Sequence, residues 1–168
     1  MKRLSGVRAV AFAEFAVILP VFLVVLLGAV DVGRMIFAQQ VVANLSREAA
    51  NLVSRGASEA EAIAATEAAD DPLDIASAGG IIMSTIRRRS STDGRPWIIE
   101  QVASGGLPGL ASRLGRPGGP AAVPRVQELP KGLTLRAVEI VHEFAPVLDG
   151  SGVGLRIYPS TIYDVAFF

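Results

Sequence analysis

The sequence predicts an α+β fold. A long N-terminal helix, first transmembrane and then amphipathic, precedes a small exported domain with a short helix and an antiparallel sheet. Three observations predict this arrangement. Residues 10–30 form an apolar run, residues 35–55 have helical periodicity without Pro or Gly, and the later chain contains strand-like segments separated by turn residues.

The apolar run from Val10 to Val30 has the length of a membrane span. Its 21 residues would extend roughly 31 Å as a helix, close to the hydrocarbon thickness of about 30 Å. Glu14 is the one ionisable residue inside it, and such a group costs about 2.5–3.5 kcal/mol at the bilayer centre and less near an end. Pro20 is expected to kink this helix.

The first nine residues form a basic leader. Lys2, Arg3 and Arg8 are its charged residues, so the positive-inside rule keeps this end in the cytoplasm and exports the remainder. A removed secretory signal would have a small-residue cleavage site after the apolar run, and none is evident there. We therefore divide the chain into leader 1–9, transmembrane helix 10–30, amphipathic extension 31–56 and exported domain 57–168.

The extension carries one apolar stripe. Its members recur at spacings of three and four and are expected to form a helix-packing seam: Ala38, Val41, Leu45, Ala49 and Leu52. Gly56 is the natural end of this helix.

The exported domain is predicted to contain a short helix and a sheet. Ser58 with Glu61 has the pattern of a capping box before helix 59–69. Segments 81–86 and 97–102 predict a hairpin, and 133–144 and 155–168 predict two further strands. Segment 105–132 has seven Gly and five Pro, so we expect a long loop that lies outside the core and is dispensable for folding.

Composition and motifs give no sign of catalysis, a cofactor or a metal. The chain has no cysteine, a formal net charge of zero and a single histidine, His142, which excludes disulfides and gives no electrostatic case for nucleic acid. The Gly-rich segment 150–154 lacks the following helix that a phosphate-binding loop needs. Arg87–Arg89 is expected to be a solvated sheet edge, and Asp31 is expected to pair with Arg34.

The N-terminal pattern resembles the TadE-like family, the minor pilin-like proteins of bacterial tight-adherence (Flp) pili. The resemblance rests on Glu14-Phe15-Ala followed by Leu19-Pro20, on Gly28 and Asp31 ahead of Gly33-Arg34, and on the later Gln39-Gln40. It implies a single-pass inner-membrane protein with a periplasmic domain, acting in pilus assembly or adhesion without catalysis. The implied partners are the lipid bilayer, other pilin-like subunits, the pilus assembly machinery and a prepilin peptidase.

The resemblance also implies two kinds of site. In such pilins the peptidase cuts after a small residue and Glu is fifth in the mature chain. Cleavage after Gly6 would leave Glu14 eighth, whereas cleavage after Ala9 would make Val10 the first residue and Glu14 the fifth. Glu14 and Phe15 are the expected assembly residues.

Two other functions remain open at this point. One is an uncleaved, membrane-anchored periplasmic domain for binding or adhesion. The other is an anchored hydrolase, for which the sequence offers no visible nucleophile–base pair.

Overall fold

The computed structural model describes residues 3–88, 95–124, 130, 132–150 and 158–168. Side chains are described for these residues except 3–9 and 149–150. The predicted turn after the first strand, Arg89 of the arginine cluster and most of the Gly-rich segment 150–154 lie outside the described residues.

The N-terminal helix, α1, covers Arg3–Ser54. Pro20 lies inside α1 without ending it. Gly56 follows with a positive φ of 99°, a backbone conformation that glycine adopts at little cost and that ends helices. The predicted continuous helix and its stop are confirmed.

Two short helices follow. α2 covers Glu59–Ala68 and begins with the predicted capping box, in which Ser58 and Glu61 bond reciprocally. α3 covers Ile75–Ala78 and is capped by Asp74, whose side chain accepts a hydrogen bond from the Ser77 N–H. A further short helix, α4, covers Val147–Gly150 between the last two strands.

Four antiparallel strands form one sheet in the order β2-β1-β3-β4. β1 covers Gly79–Arg88, β2 Pro96–Ser104, β3 Thr134–Glu143 and β4 Thr161–Phe167. The predicted hairpin and the strand predicted at 133–144 are therefore confirmed. The strand predicted at 155–168 is present only in its later part, and residues 155–157 lie outside the described residues. Gly79 and Gly80 begin β1. A Cβ at Gly79 would lie 2.5 Å from the Val141 carbonyl oxygen, so glycine permits this close pairing.

The central strand β3 is buried on both faces rather than on one. Residues 137–142 are all buried. One face lies under α1, where the Ser46 hydroxyl donates to the Asp164 carboxylate across from Ile140. The other face lies under the loop after β2, which bonds to Glu139. Successive residues of β3 therefore do not alternate between buried and solvent-exposed positions, because both faces of the strand are covered.

The loop after β2 belongs to the core, contrary to the expectation from its composition. Leu114 is 4% exposed and packs with Ile86, Ile98 and Ala137. The Ile98 N–H donates to the Gly119 carbonyl at 3.0 Å, so the loop also pairs with the outer side of β2. Backbone hydrogen bonds and the buried Leu114 side chain therefore hold this Gly- and Pro-rich loop against the sheet.

The chain forms two compact units. The first comprises Met1–Phe37 with Ala145–Pro159, and the second comprises Ala38–Phe144 with Ser160–Phe168. The sheet, α2, α3 and the C-terminal part of α1 lie in the second unit. Among the residues with described side chains, each unit contains a fully buried carboxylate whose partners are distant in sequence.

Candidate functional site

The N-terminal half of α1 exposes an almost unbroken apolar surface. Helix Val10–Ser54 is long and apolar enough to cross a membrane, and none of its most apolar stretch is buried within the protein. Phe12 is 77% exposed and Val17 is 72% exposed. Apolar side chains of this size pack against lipid or against other helices, so this surface is the first part of the candidate site.

The predicted assembly residues lie on this exposed surface. Glu14 is exposed, and Phe15 beside it is 59% exposed. Val10 is exposed as well, while Gly6 and Ala9 lie within α1 and their side chains are not described. Glu14 is therefore accessible on the helix for a partner outside the chain.

Asp31 lies one residue beyond the predicted span and is fully buried. Its carboxylate accepts hydrogen bonds from the N–H groups of Val147 at 2.9 Å and Leu148 at 3.0 Å, the first two residues of α4. The predicted pair with Arg34 is present, with 3.4 Å between the nearest oxygen and nitrogen. Asp31 thus caps a distant short helix as well as pairing with its neighbour.

A second contact holds the same segment against α1. The Tyr158 hydroxyl donates to the Gly28 carbonyl oxygen at 3.1 Å. Leu148, 4% exposed, has its side chain beside Gly28, where a Cβ would lie 3.6 Å away. We call residues 145–150 and 158–159 the strap. Sequence reasoning identified Gly28 and Asp31 as pattern residues but missed the strap that binds them.

The predicted packing stripe lies in the second unit. Ala38, Leu45 and Ala49 are buried within the protein, and Val41 and Leu52 are half-buried. The helix also buries Val42, Ser46, Ala50 and Val53. The structure therefore shows this stripe packing within the chain, and its role as a seam between subunits stays a prediction.

Glu139 on β3 is the buried carboxylate of the second unit. It accepts hydrogen bonds from the Ser112 hydroxyl, from the Arg113 N–H at 2.9 Å and from the Tyr163 hydroxyl at 2.8 Å. It therefore joins the loop, β3 and β4 in one polar cluster. Because several donors occupy the carboxylate oxygens, Glu139 is suited to holding the loop rather than to removing a proton from a substrate.

Arg113 and Tyr163 complete this cluster. The Arg113 guanidinium carbon lies 4.2 Å from the centroid of the Tyr163 ring, a cation–π geometry. Burial, followed by the hydrogen bond to Glu139, raises the pKa of the Tyr163 hydroxyl, so the phenol stays protonated at neutral pH. A shallow groove of about 410 Å³ runs beside Arg113 and is open to solvent.

His142 is buried on the sheet face that also carries Ile140. No group among the described residues forms a hydrogen bond with its Nδ1 atom. Burial lowers its pKa against the opposing effect of the carboxylates of Asp70, Glu143 and Asp74. Within the described part of the chain, no three or more side chains of His, Cys, Asp or Glu are grouped so that they could hold a metal ion.

Comparison with protein-family models gives a match in the N-terminal helix. The model described as TadE-like protein matches residues 9–51, which include Glu14, Gly28, Asp31 and Arg34. The resemblance to the TadE-like family is confirmed. The TadE-like match covers the membrane-type helix and its amphipathic extension, and the sheet lies beyond it. No curated protein and no solved structure matches the chain.

The TadE-like match implies a role in tight-adherence pilus systems and association with a membrane. TadE-like pilins are generally not enzymes. The exposed apolar helix agrees with a membrane-anchored protein.

Proposed function

We propose that this protein is a non-catalytic, pilin-like subunit that acts in the assembly of tight-adherence pili from the inner membrane. The observation that carries the proposal is the TadE-like match over residues 9–51, within which an exposed apolar helix carries Glu14. In this proposal the basic leader remains in the cytoplasm and the sheet domain is periplasmic.

Glu14 is the proposed assembly residue. A carboxylate in an apolar helix is unfavourable unless a charge or a hydrogen-bond donor compensates it. The amino terminus of a neighbouring pilin-like subunit, created by a prepilin peptidase, would supply a positive charge. Pairing would reduce the desolvation cost of both groups and set the stagger of adjacent helices, with the exposed Phe15 packing beside the pair.

Processing fixes whether this chain supplies such an amino terminus itself. Cleavage after Ala9 would leave Val10 first and Glu14 fifth, the spacing that pairs a terminus with the carboxylate of the next subunit. Cleavage after Gly6 would leave Glu14 eighth and move the new charge about one helical turn further from the span. Mass spectrometry of the amino terminus of protein purified from membranes distinguishes these two products from the uncleaved chain.

Substitution of Glu14 tests the proposal directly. We expect Glu14→Ala to remain inserted and as abundant as the wild type, because loss of a carboxylate eases insertion, while surface piliation and adherence fall. Glu48→Ala is the matched control, since Glu48 is an exposed carboxylate on the same helix outside the predicted span. Normal piliation by Glu14→Ala at normal abundance would contradict the proposed role of Glu14.

An uncleaved, membrane-anchored binding or adhesion protein is the second candidate function. Two observations favour it. Cleavage after Gly6 would leave Glu14 three positions beyond the fifth position that is typical of such pilins. In addition, the sheet domain has an open groove beside Arg113. An intact amino terminus together with normal adherence would support this candidate over polymerisation.

A further inference from the structure

We propose that the strap, residues 145–150 and 158–159, is a membrane-contact element that lies in the lipid headgroup region of the outer leaflet. The inference rests on the membrane span of the proposed function and adds a second, separate contact between the chain and the bilayer. Its occupant is the phospholipid interface itself.

The position of the strap along α1 is the first argument. Asp31 binds Val147 and Leu148, and Gly28 binds Tyr158. These contacts lie within three residues of one another on α1, about 4.5 Å of helix rise. They coincide with the end of the apolar run at Val30, so the strap is held where a span of residues 10–30 leaves the hydrocarbon.

The chemistry of the strap is the second argument. Asp149 is the one charged residue that the sequence places in the strap. The strap residues with described side chains are all uncharged: Ala145, Pro146, Val147, Leu148, Tyr158 and Pro159. Val147 is 45% exposed and Val30 on α1 is 48% exposed, so both present apolar surface at this level of the helix. Tyrosine is enriched at membrane interfaces because its ring is apolar and its hydroxyl is polar.

The burial of Asp31 is the third argument. A carboxylate at the bilayer edge needs donors that replace water. The strap supplies two N–H groups and leaves the Asp31 side chain with no exposed surface, while Arg34 remains 50% exposed. Asp31 is therefore a positioning residue, and its bonds to the strap make an acidic group compatible with the membrane boundary.

Spin labelling of the full-length protein in phospholipid vesicles tests the inference. The chain has no native cysteine, so single variants Leu26→Cys, Phe37→Cys and Val147→Cys each give one labelled site. Leu26 lies within the span, and Phe37 lies about 10 Å of helix rise beyond Val30. Accessibility of each label to oxygen, which partitions into lipid, is compared with accessibility to a water-soluble nickel chelate.

We expect the label at residue 147 to be more accessible to oxygen and less accessible to the nickel chelate than the label at residue 37. Equal accessibilities at residues 147 and 37, with a lipid-exposed label at residue 26, would overturn the strap proposal and leave the span intact. A water-exposed label at residue 26 would overturn the span and the strap proposal together.

Two further variants keep the result independent of one label. Adding Asp31→Ala to Val147→Cys should increase nickel accessibility at residue 147, because the strap loses its anchor, whereas adding Glu48→Ala should not. No change with Asp31→Ala would overturn Asp31 as the positioning residue. Val147→Trp in a Trp97→Phe background should lose emission intensity in vesicles of brominated phospholipid, and unchanged emission would overturn the lipid contact.

Discussion

Asp31 and Glu139 are both fully buried, and each accepts hydrogen bonds from residues distant in sequence. Burying a carboxylate is unfavourable unless charged or polar donors compensate it. Asp31 uses two backbone N–H groups and Arg34, whereas Glu139 uses a serine, a tyrosine and a backbone N–H. Each carboxylate therefore stabilises its unit only while its donors are present.

Substitution of Glu139 should destabilise the sheet domain strongly. We expect Glu139→Ala to lower the free energy of unfolding by about 2–4 kcal/mol, because it leaves three part-buried donors without their acceptor. Tyr163→Phe removes one of these bonds and should cost about 1–2 kcal/mol. Thermal unfolding of the full-length variants in detergent micelles measures both. A loss for Glu139→Ala no greater than that for Tyr163→Phe would contradict the cluster as described.

His142 should make stability depend on pH. Because burial lowers its pKa, the folded state favours the neutral imidazole. This contribution is fully present above the unfolded pKa, about 6.5, and is lost as pH falls below it toward the folded value. The temperature at the midpoint of unfolding should therefore decrease as the pH is lowered from about 7.5 to about 5.5. The His142→Leu variant should show a smaller decrease in this temperature over the same pH range. A decrease equal to that of the wild type would mean that other groups cause the effect.

At the scale of elements, local signals were predictable and distant ones were not. Ser58 and Glu61 predict the start of α2, because the capping box that they form spans only four consecutive residues. The burial of Glu139 was not predictable, since its partners Ser112 and Tyr163 lie 27 and 24 residues away. Likewise the composition of the loop after β2 predicts irregularity correctly but carries no signal that Leu114 enters the core.

The C-terminal part of α1 should be required for the sheet domain to fold. Val42, Leu45, Ala49 and Val53 are buried in the same unit as the sheet. A fragment of residues 38–168 should therefore unfold cooperatively, whereas a fragment of residues 58–168 should not. Calorimetry of the two fragments checks this prediction, and cooperative unfolding of the shorter one would show that the helix is dispensable.

At the scale of the whole molecule, the proposed function predicts one membrane crossing by α1. A reporter that is active only outside the cytoplasm should work when fused after Phe168, because the positive-inside rule predicts that the basic end of α1 stays in the cytoplasm. Replacing Lys2, Arg3 and Arg8 by Glu should reduce that activity by disturbing the orientation. Strong activity of a cytoplasm-dependent reporter at the same position would contradict the topology.

The long separation between Asp31 and the strap has a consequence for biosynthesis. Asp31 and Leu148 are 117 residues apart. At a translation rate of about 5–20 residues per second, the strap is therefore synthesised roughly 6–23 s after Asp31. In the proposed topology, the Asp31 carboxylate is at the bilayer edge without its N–H donors throughout this interval. Arg34, one helical turn away, is available as soon as α1 forms. Arg34 therefore serves as the first counter-ion of Asp31 in the nascent chain, and the pair persists beside the strap in the folded protein.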